Sequence, residues 1–338
     1  MSAAFVHLHL HTEYSIVDST IRIPALLNRC AQLKLPAVAL TDQGNVFGLV
    51  KFYRKALQTG LKPLVGVDLR IADDTEPGRG DSLVLLCQDL DGYRNLTRLI
   101  SRSYLEGQYR GKPLLHRDWL EKESCAGLIA LSGGRSGDVG RNLAGDHEEL
   151  AEQRLNDWLD VFGDRYYLEL TRTGRPDEEE CLQRSLHLAS RRGVPVVATN
   201  DVRFLEKTDF FAHEARVCIH DGRGLADADR PRNYSEEQYL KSAEDMQSLF
   251  ADVPEAIENT LQIARRCSLN LALGETFLPR FPVPKGQTTD DFLRAESARG
   301  LDAFLSGRRA ENSVESADAE IDDAQYTARL NKELDVIC

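Results

Sequence analysis

Between Phe5 and Thr199 the chain carries seven short apolar runs, most of them separated by stretches with a helical stripe. A strand that reaches its neighbour through a helix returns in the same direction, so this alternation restricts the chain to an α/β fold with a mostly parallel sheet or barrel. The runs are Phe5–His11, Pro36–Asp42, Pro63–Leu69, Ser82–Cys87, Leu128–Ser132, Tyr166–Leu170 and Val194–Thr199. Helices are expected over 23–33, 48–57, 93–105, 148–162 and 178–191; in the first, Leu26, Leu27, Cys30 and Leu33 form one apolar stripe. Residues 74–80 form a charged, glycine-containing loop between two strands. In such folds chemistry collects at the C-terminal strand ends. His9, His11, Asp42 and Asp201 fall at such ends, and Asp68 lies late in its strand.

Within the first run, Val6, Leu8 and Leu10 alternate with His7, His9 and His11, the period of a strand. Strict alternation places the three imidazoles on one side. His9 and His11, nearest the strand end, could reach one ion, and Asp18 offers a carboxylate beside them. The plainer reading makes these polar residues on the wet face of an edge strand. The glycine-rich loop 133–140 lacks the lysine and hydroxyl order of a phosphate-binding P-loop.

A formal charge of −12 argues against a broad basic face for nucleic acid. The seven cysteines show no Cys-x-x-Cys pair and no zinc-ribbon spacing, so they read as reduced thiols of a cytosolic protein. Neither a signal peptide nor an apolar run near the ~20 residues of a membrane span is visible. Beyond Asp201, helices are expected over 210–219 and 254–267. The proline-rich 278–286 reads as a linker, and Thr289 or Asp290 as the cap of a helix carrying Phe292, Leu293, Leu301 and Phe304. The acidic, small-residue stretch 307–325 is expected to be mobile. A helical fragment over 326–337 stops at Cys338 without an end signal, so the chain reads as cut there.

Five segments taken in order resemble one known family: 5–15, Ala39–Asn45, Gly66–Asp68, Ile129–Gly134 and Val197–Asp201. The family is the polymerase-and-histidinol-phosphatase (PHP) domain found at the N-terminus of bacterial DNA polymerase III alpha subunits. The runs 48–53, 92–96 and 172–178 are similar to the proteobacterial replicative type, and 326–337 resembles the start of the polymerase thumb or palm. The resemblance implies a distorted seven-stranded (β/α) barrel over 1–275, a linker over 276–290 and a truncated further region over 291–338.

It also implies a pocket, which in metal-competent members holds up to three ions. His9, His11, Asp18 and Asp201 match ligand positions, beside Asp42. Asp68 stands where glutamate is usual, Gln43, Ser82 and Arg203 stand at histidine positions, and Gly134 stands at a cysteine or histidine position. Glycine has no side-chain donor and arginine adds a charge in place of a lone pair. The resemblance therefore implies a vestigial pocket with no catalytic residue and no metal expected. Any residual zinc or manganese ion would be held by His9, His11 and Asp201, and magnesium would belong to the full polymerase, whose catalytic acids lie beyond this chain. Its implied role is structural, with docking of the proofreading exonuclease subunit, contact to the rest of the alpha chain, DNA met only through the full polymerase, and no membrane partner. The alternative is a metal-dependent phosphoesterase or 3′–5′ exonuclease. His7 is read as facing another layer, and His116, His147, His187, His213 and His220 match no ligand position.

Overall fold

The computed structural model describes residues 4–73, 76–276, 278–315 and 323–338. They fall into two compact units, Met1–Leu271 and Ala272–Cys338. In the first, α1 (Ile23–Gln32) leads to β1 (Ala37–Leu40), and α2 (Leu49–Gln58) leads to β2 (Lys62–Ala72). Next come β3 (Gly80–Cys87), α3 (Leu90–Leu105) and a small hairpin of β4 (Gln108–Tyr109) and β5 (Lys112–Pro113). The strands β6 (Leu128–Leu131), β7 (Tyr166–Thr171) and β8 (Val196–Thr199) follow, with α4 (Asp138–Ala144) and α5 (Glu148–Phe162) after the first and α6 (Glu178–Arg192) after the second. Three helices complete the unit: α7 (Phe210–Asp221), α8 (Ala243–Leu249) and α9 (Pro254–Arg266). No helix among the described residues is long and apolar enough to cross a membrane.

The main sheet has the order β1-β2-β3-β6-β7-β8. All its pairings are parallel except those of β3, which runs antiparallel to both β2 and β6. The expected parallel pattern is thus broken at one strand. Only residues 73–79 join β2 to β3, and a parallel return needs a dozen residues or more. The reversal matters for the site, because it brings the start of β3 to the rim where the other strands end.

Residues 5–11 close the curled sheet into a distorted barrel. His7 bridges in parallel to Val38 on β1, and Leu10 bridges in parallel to Val202 beyond β8. The backbone amide of Ala39 donates to the His7 carbonyl (2.9 Å) and that of His11 to the Val202 carbonyl (3.0 Å). The alternation in this run does not persist to its end. Val6 and Leu8 join the small inner core, Leu10 joins the larger one, and the chain bends at His9. The bend separates His7 from the other two imidazoles, as its reading into another layer anticipated.

Alternate residues of the strands face inward. Ala37, Ala39, Leu64, Val84, Leu86, Ile129, Leu131 and Val197 form the inner core, capped by Ile263 and Ala264 of α9 and by Cys267 just after it. The opposite faces, including Val38, Leu40, Val65, Val67, Leu85, Ala130 and Leu168, pack with the surrounding helices. In the second unit, α10 (Thr289–Glu315) and α11 (Asp323–Ile337) bury Leu305 and Leu334. Thr288, one residue before the expected cap, accepts from the Asp291 amide while Asp291 accepts from Thr288, a reciprocal cap. Residues 307–315 continue α10, because alanine, arginine and glutamate favour helix despite the stretch's polarity. The expectation of mobility for 307–325 also covers 316–322, which lie outside the described residues.

His7 is fully buried, and its Nε2 donates to the Lys241 carbonyl (2.9 Å). Burial, partly offset by that hydrogen bond, lowers its pKa to about 4. A depressed histidine gives stability that is whole above its unfolded value near 6.5 and lost as pH falls toward 4. The loss should approach roughly 3 kcal/mol. Urea unfolding at pH 7 and pH 4.5 should therefore show a smaller pH-dependent loss for His7→Gln than for the unsubstituted chain; equal losses would refute this account.

Candidate functional site

Several strand ends contribute one or two side chains each to a buried polar pocket. His9 and His11 come from the closing segment, Asp68 and Arg70 from β2, Ser82 from the start of β3, Glu169 from β7, and Asp201 and Arg203 from beyond β8. The histidine rings lie 5.5 Å apart between centroids. His9 Nδ1 bonds Glu169 Oε1 (2.8 Å), and its Nε2 stands 3.7 Å from Asp68 Oδ2 and 3.6 Å from Asp201 Oδ1. His11 Nδ1 bonds Asp18 Oδ1 (3.0 Å), with Nε2 3.4 Å from Asp68 Oδ2. Ser82 Oγ donates to Asp68 Oδ1 (2.5 Å).

Arg203 occupies the middle of this arrangement, 4% exposed. Its Nε donates to Asp201 Oδ1 (2.9 Å), Nη2 to the same oxygen, and Nη1 to Asp18 Oδ2 while also touching His11 Nδ1. Asp201 is gripped further by Arg175 Nη1 (3.2 Å) and Gln238 Nε2 (2.8 Å). It holds a left-handed backbone, φ 44°, which costs a non-glycine residue about 1–3 kcal/mol unless its surroundings enforce it. The bridge at Val202 and the bond from Gln238 Nε2 to the Asp201 carbonyl (3.1 Å) do so here. Tyr234 contributes a hydroxyl 3.4 Å from Asp18 Oδ2 and a ring 5.9 Å from the guanidinium.

Burial alone would push the carboxyls up. For Asp18 the charges of Arg203 and His11 override it, and for Asp201 those of Arg203, His9 and Arg175, holding both well below the usual carboxylate range. Asp68 is likewise held low against burial, first by the charge of Arg70 and then by the facing imidazoles of His11 and His9. For His9 burial opposes the charge, but Glu169 and Asp201 outweigh it and raise the pKa to about 10. The pocket thus balances its acids with protein cations.

Three buried atoms lack any hydrogen-bond partner at its centre: His9 Nε2, His11 Nε2 and Asp68 Oδ2. His9, His11 and Asp68 offer ligand atoms within 4.8 Å of one another, beside a space of about 20 Å³, room for one water or one ion. The trio expected from sequence named Asp201 instead of Asp68. Asp201 is taken by Arg203, Arg175 and Gln238, whereas Asp68 keeps an oxygen without a hydrogen bond facing both histidines; Glu169 Oε2 is likewise unbonded.

The other expected pocket residues are placed less uniformly. Asp42 does not serve the pocket: its oxygens accept from the Thr12 amide (2.6 Å), Thr12 Oγ1 (2.8 Å) and Ser15 Oγ (2.7 Å), tying down the turn after His11. Gln43 lies at the edge, its carboxamide oxygen, in the orientation its neighbours require, accepting from Arg70 Nε (2.7 Å) and Nη2 (3.2 Å). Gly134 has φ 53°, and a Cβ there would meet Thr171 and the Glu169 carbonyl at ordinary contact distance. Sequence reasoning missed Glu169, Arg70, Arg175, Tyr234 and Gln238. Glu169 carried a signal, being the one carboxylate inside the apolar run 166–170, and Arg70 another, two residues from Asp68 on the same strand face. Arg175, Tyr234 and Gln238 come from loops and carried none.

Comparison with known proteins places these residues in context. Residues 7–173 match the family model described as the PHP domain. The whole chain is 47% identical to part of the DNA polymerase III subunit alpha of Pseudomonas fluorescens, and 98% of it is 46% identical to part of that of Escherichia coli strain K12. The chain spans 28% of the length of each of these relatives. Among solved structures, a putative metal-dependent phosphoesterase from Bifidobacterium adolescentis is 14% identical with a TM-score of 0.43, covering 73% of this chain and 96% of that one.

Proposed function

This chain belongs to the PHP domain family, and from that premise we propose that it is part of a replicative DNA polymerase III alpha subunit, a cytoplasmic DNA-directed DNA polymerase. In this reading its PHP pocket is no longer hydrolytic. It stabilises the polymerase chain and docks the proofreading 3′–5′ exonuclease subunit, while DNA is met through the polymerase region.

The observation that carries the reading is the buried guanidinium of Arg203 between Asp18 and Asp201. A guanidinium has donors and no lone pair, so it neutralises these carboxylates while excluding an ion from them. A multi-ion cluster does not fit the remaining residues either. Gln43 is engaged by Arg70, Ser82 donates to Asp68, and Gly134 offers no side chain. No hydrolytic step follows from such a set, since metal-assisted phosphoester cleavage needs ions to generate hydroxide and clamp phosphate.

One observation favours a second reading. The ligand atoms of His9, His11 and Asp68 lie close enough for a single transition-metal ion, which would have to displace the proton held by His9 and would supply one Lewis acid. Metal analysis of the purified chain, with DNA 3′-end and phosphate monoester assays, separates the readings. Well under one bound ion and no hydrolysis are expected. Two or three stoichiometric ions, with turnover abolished by His11→Ala, would overturn the structural reading. Docking is tested by co-expressing the chain with the exonuclease subunit, and co-elution on gel filtration is the expected result; separate elution would remove that role from this part of the protein.

A further inference from the structure

The edge where β2 turns into β3 carries a second cluster of charged groups, outside the Arg203 network. Two buried carboxylates share one guanidinium there. Arg141 of α4 directs Nη1 to Asp73 Oδ2 (2.7 Å), just past the end of β2, and Nη2 to Asp81 Oδ2 (2.6 Å), at the start of β3. The side chains of Asp73 and Asp81 are only 6% and 5% exposed. Behind them Asp138, at the start of α4, accepts from Arg117 Nη2 (2.7 Å), Trp158 Nε1 (3.0 Å) and the Val139 amide (2.7 Å). A cavity of about 260 Å³ lies over the cluster. His147 and Arg154 face it from the α5 side, and Arg154 also pairs with Asp157 (3.6 Å). Arg79 in the turn is paired with Glu76 (2.7 Å) and acts on Asp81 through its charge.

A guanidinium carries one positive charge, so its fork cannot neutralise two carboxylates. Like charges crowded into one buried site favour proton uptake by one of them. We propose that Arg141, Asp73 and Asp81 form a proton-operated clasp. It fastens α4 to the β2–β3 turn loosely while both acids are charged, and firmly once Asp81 takes a proton from solvent. Burial pushes the Asp81 carboxyl up to about 6, and the charges of Asp138 and Asp73 add to it, against the pull of Arg141 and Arg79. Any opening that exposes Asp81 to water returns it to the ordinary value of 3.8. The closed form therefore holds the proton more tightly. Its advantage is whole below about 4 and is lost as pH rises through about 6. His7, Asp18 and Asp201 behave in the opposite sense, their contributions falling in acid. The distance between 3.8 and about 6 corresponds at its limit to roughly a hundredfold in the population of the open edge.

The test follows amide hydrogen exchange in the full 338-residue chain at pH 4.5 and pH 7.5, corrected for intrinsic rates. Opening at the start of β3 and in α4 should be rarer at the acid pH by at least about tenfold. In Asp81→Asn, uncharged at both values, that dependence should disappear. The variant should also melt about 5 °C above the parent at pH 7.5, and the gap should shrink by more than half at pH 4.5. His7 is the same in both proteins, so its own titration cancels in the comparison. Asp73→Asn removes the competing charge, and should move the midpoint of the Asp81 carboxyl, followed by carbon NMR, from about 6 toward lower pH. A midpoint near 4 in the parent would overturn the proposal. So would an Asp81→Asn variant less stable than the parent at pH 7.5, or a gap in melting temperature that does not change with pH.

Discussion

Arg203→Ala is expected to destabilise the first unit by about 3–5 kcal/mol at neutral pH, the usual consequence of removing one partner of a buried ion pair. Three contacts vanish together: those to Asp201, to Asp18 and to His11. The two carboxylates would then remain buried, with His9 and Arg175 near Asp201 and His11 near Asp18 as their remaining compensation. For a unit of this size the melting temperature should drop on the order of 10 °C. The pH dependence has a definite sign. Both carboxyls are depressed in the fold, so the stability they carry is present above their unfolded value near 4 and is lost as pH falls below it toward the folded values. The gap between parent and variant should therefore be flat from pH 7 to about 5 and shrink at more acid pH. A gap that widened in acid, or a variant melting like the parent, would show that Arg203 does not hold this pocket together. Arg203→His should recover no hydrolysis, since Gln43, Ser82 and Gly134 still withhold ligands.

The next largest effect is expected at Asp42, which family resemblance placed in the pocket and which the fold uses as an anchor. Its carboxylate accepts three hydrogen bonds from Thr12 and Ser15, all four groups being buried. Asp42→Ala leaves the Thr12 amide without an acceptor, and the combined loss should come to roughly 3 kcal/mol. Asp42→Asn keeps an oxygen but turns an NH₂ toward donors, so it should recover only part of that stability. Chemical denaturation of the three proteins orders them parent, Asn, Ala. An alanine variant as stable as the parent would mean that the turn over 12–15 is held by its remaining backbone bonds.

What could be read in advance was whatever depends on neighbours along the chain. The runs around Val38, Leu64, Val84, Ile129, Leu168 and Val197 announced their strands, because inward and outward faces must both be apolar when helices cover one side and a core fills the other. His9, His11, Asp42 and Asp201 could be placed at strand ends on one rim, with Asp68 late in its strand, whereas Asp18 joined the expected set through the family resemblance. The reversal of β3 was only half legible: a short loop without a helix was visible, but its consequence for Ser82 required the sheet order.

Tertiary structure alone decided which oxygen and nitrogen atoms remain free. Asp42 and Asp201 looked alike in sequence, yet one is consumed by Thr12 and Ser15 and the other by Arg203, Arg175 and Gln238. The bend at His9, the loop residue Arg175 and the strap bearing Tyr234 and Gln238 carry no periodic signal. The physical reason is the range of the forces involved. Hydrophobic periodicity is set by residues three or four apart on a helix and two apart on a strand. Hydrogen-bond and charge partners are chosen by the closed fold, as Asp18 and Arg203 meet across 185 positions of sequence.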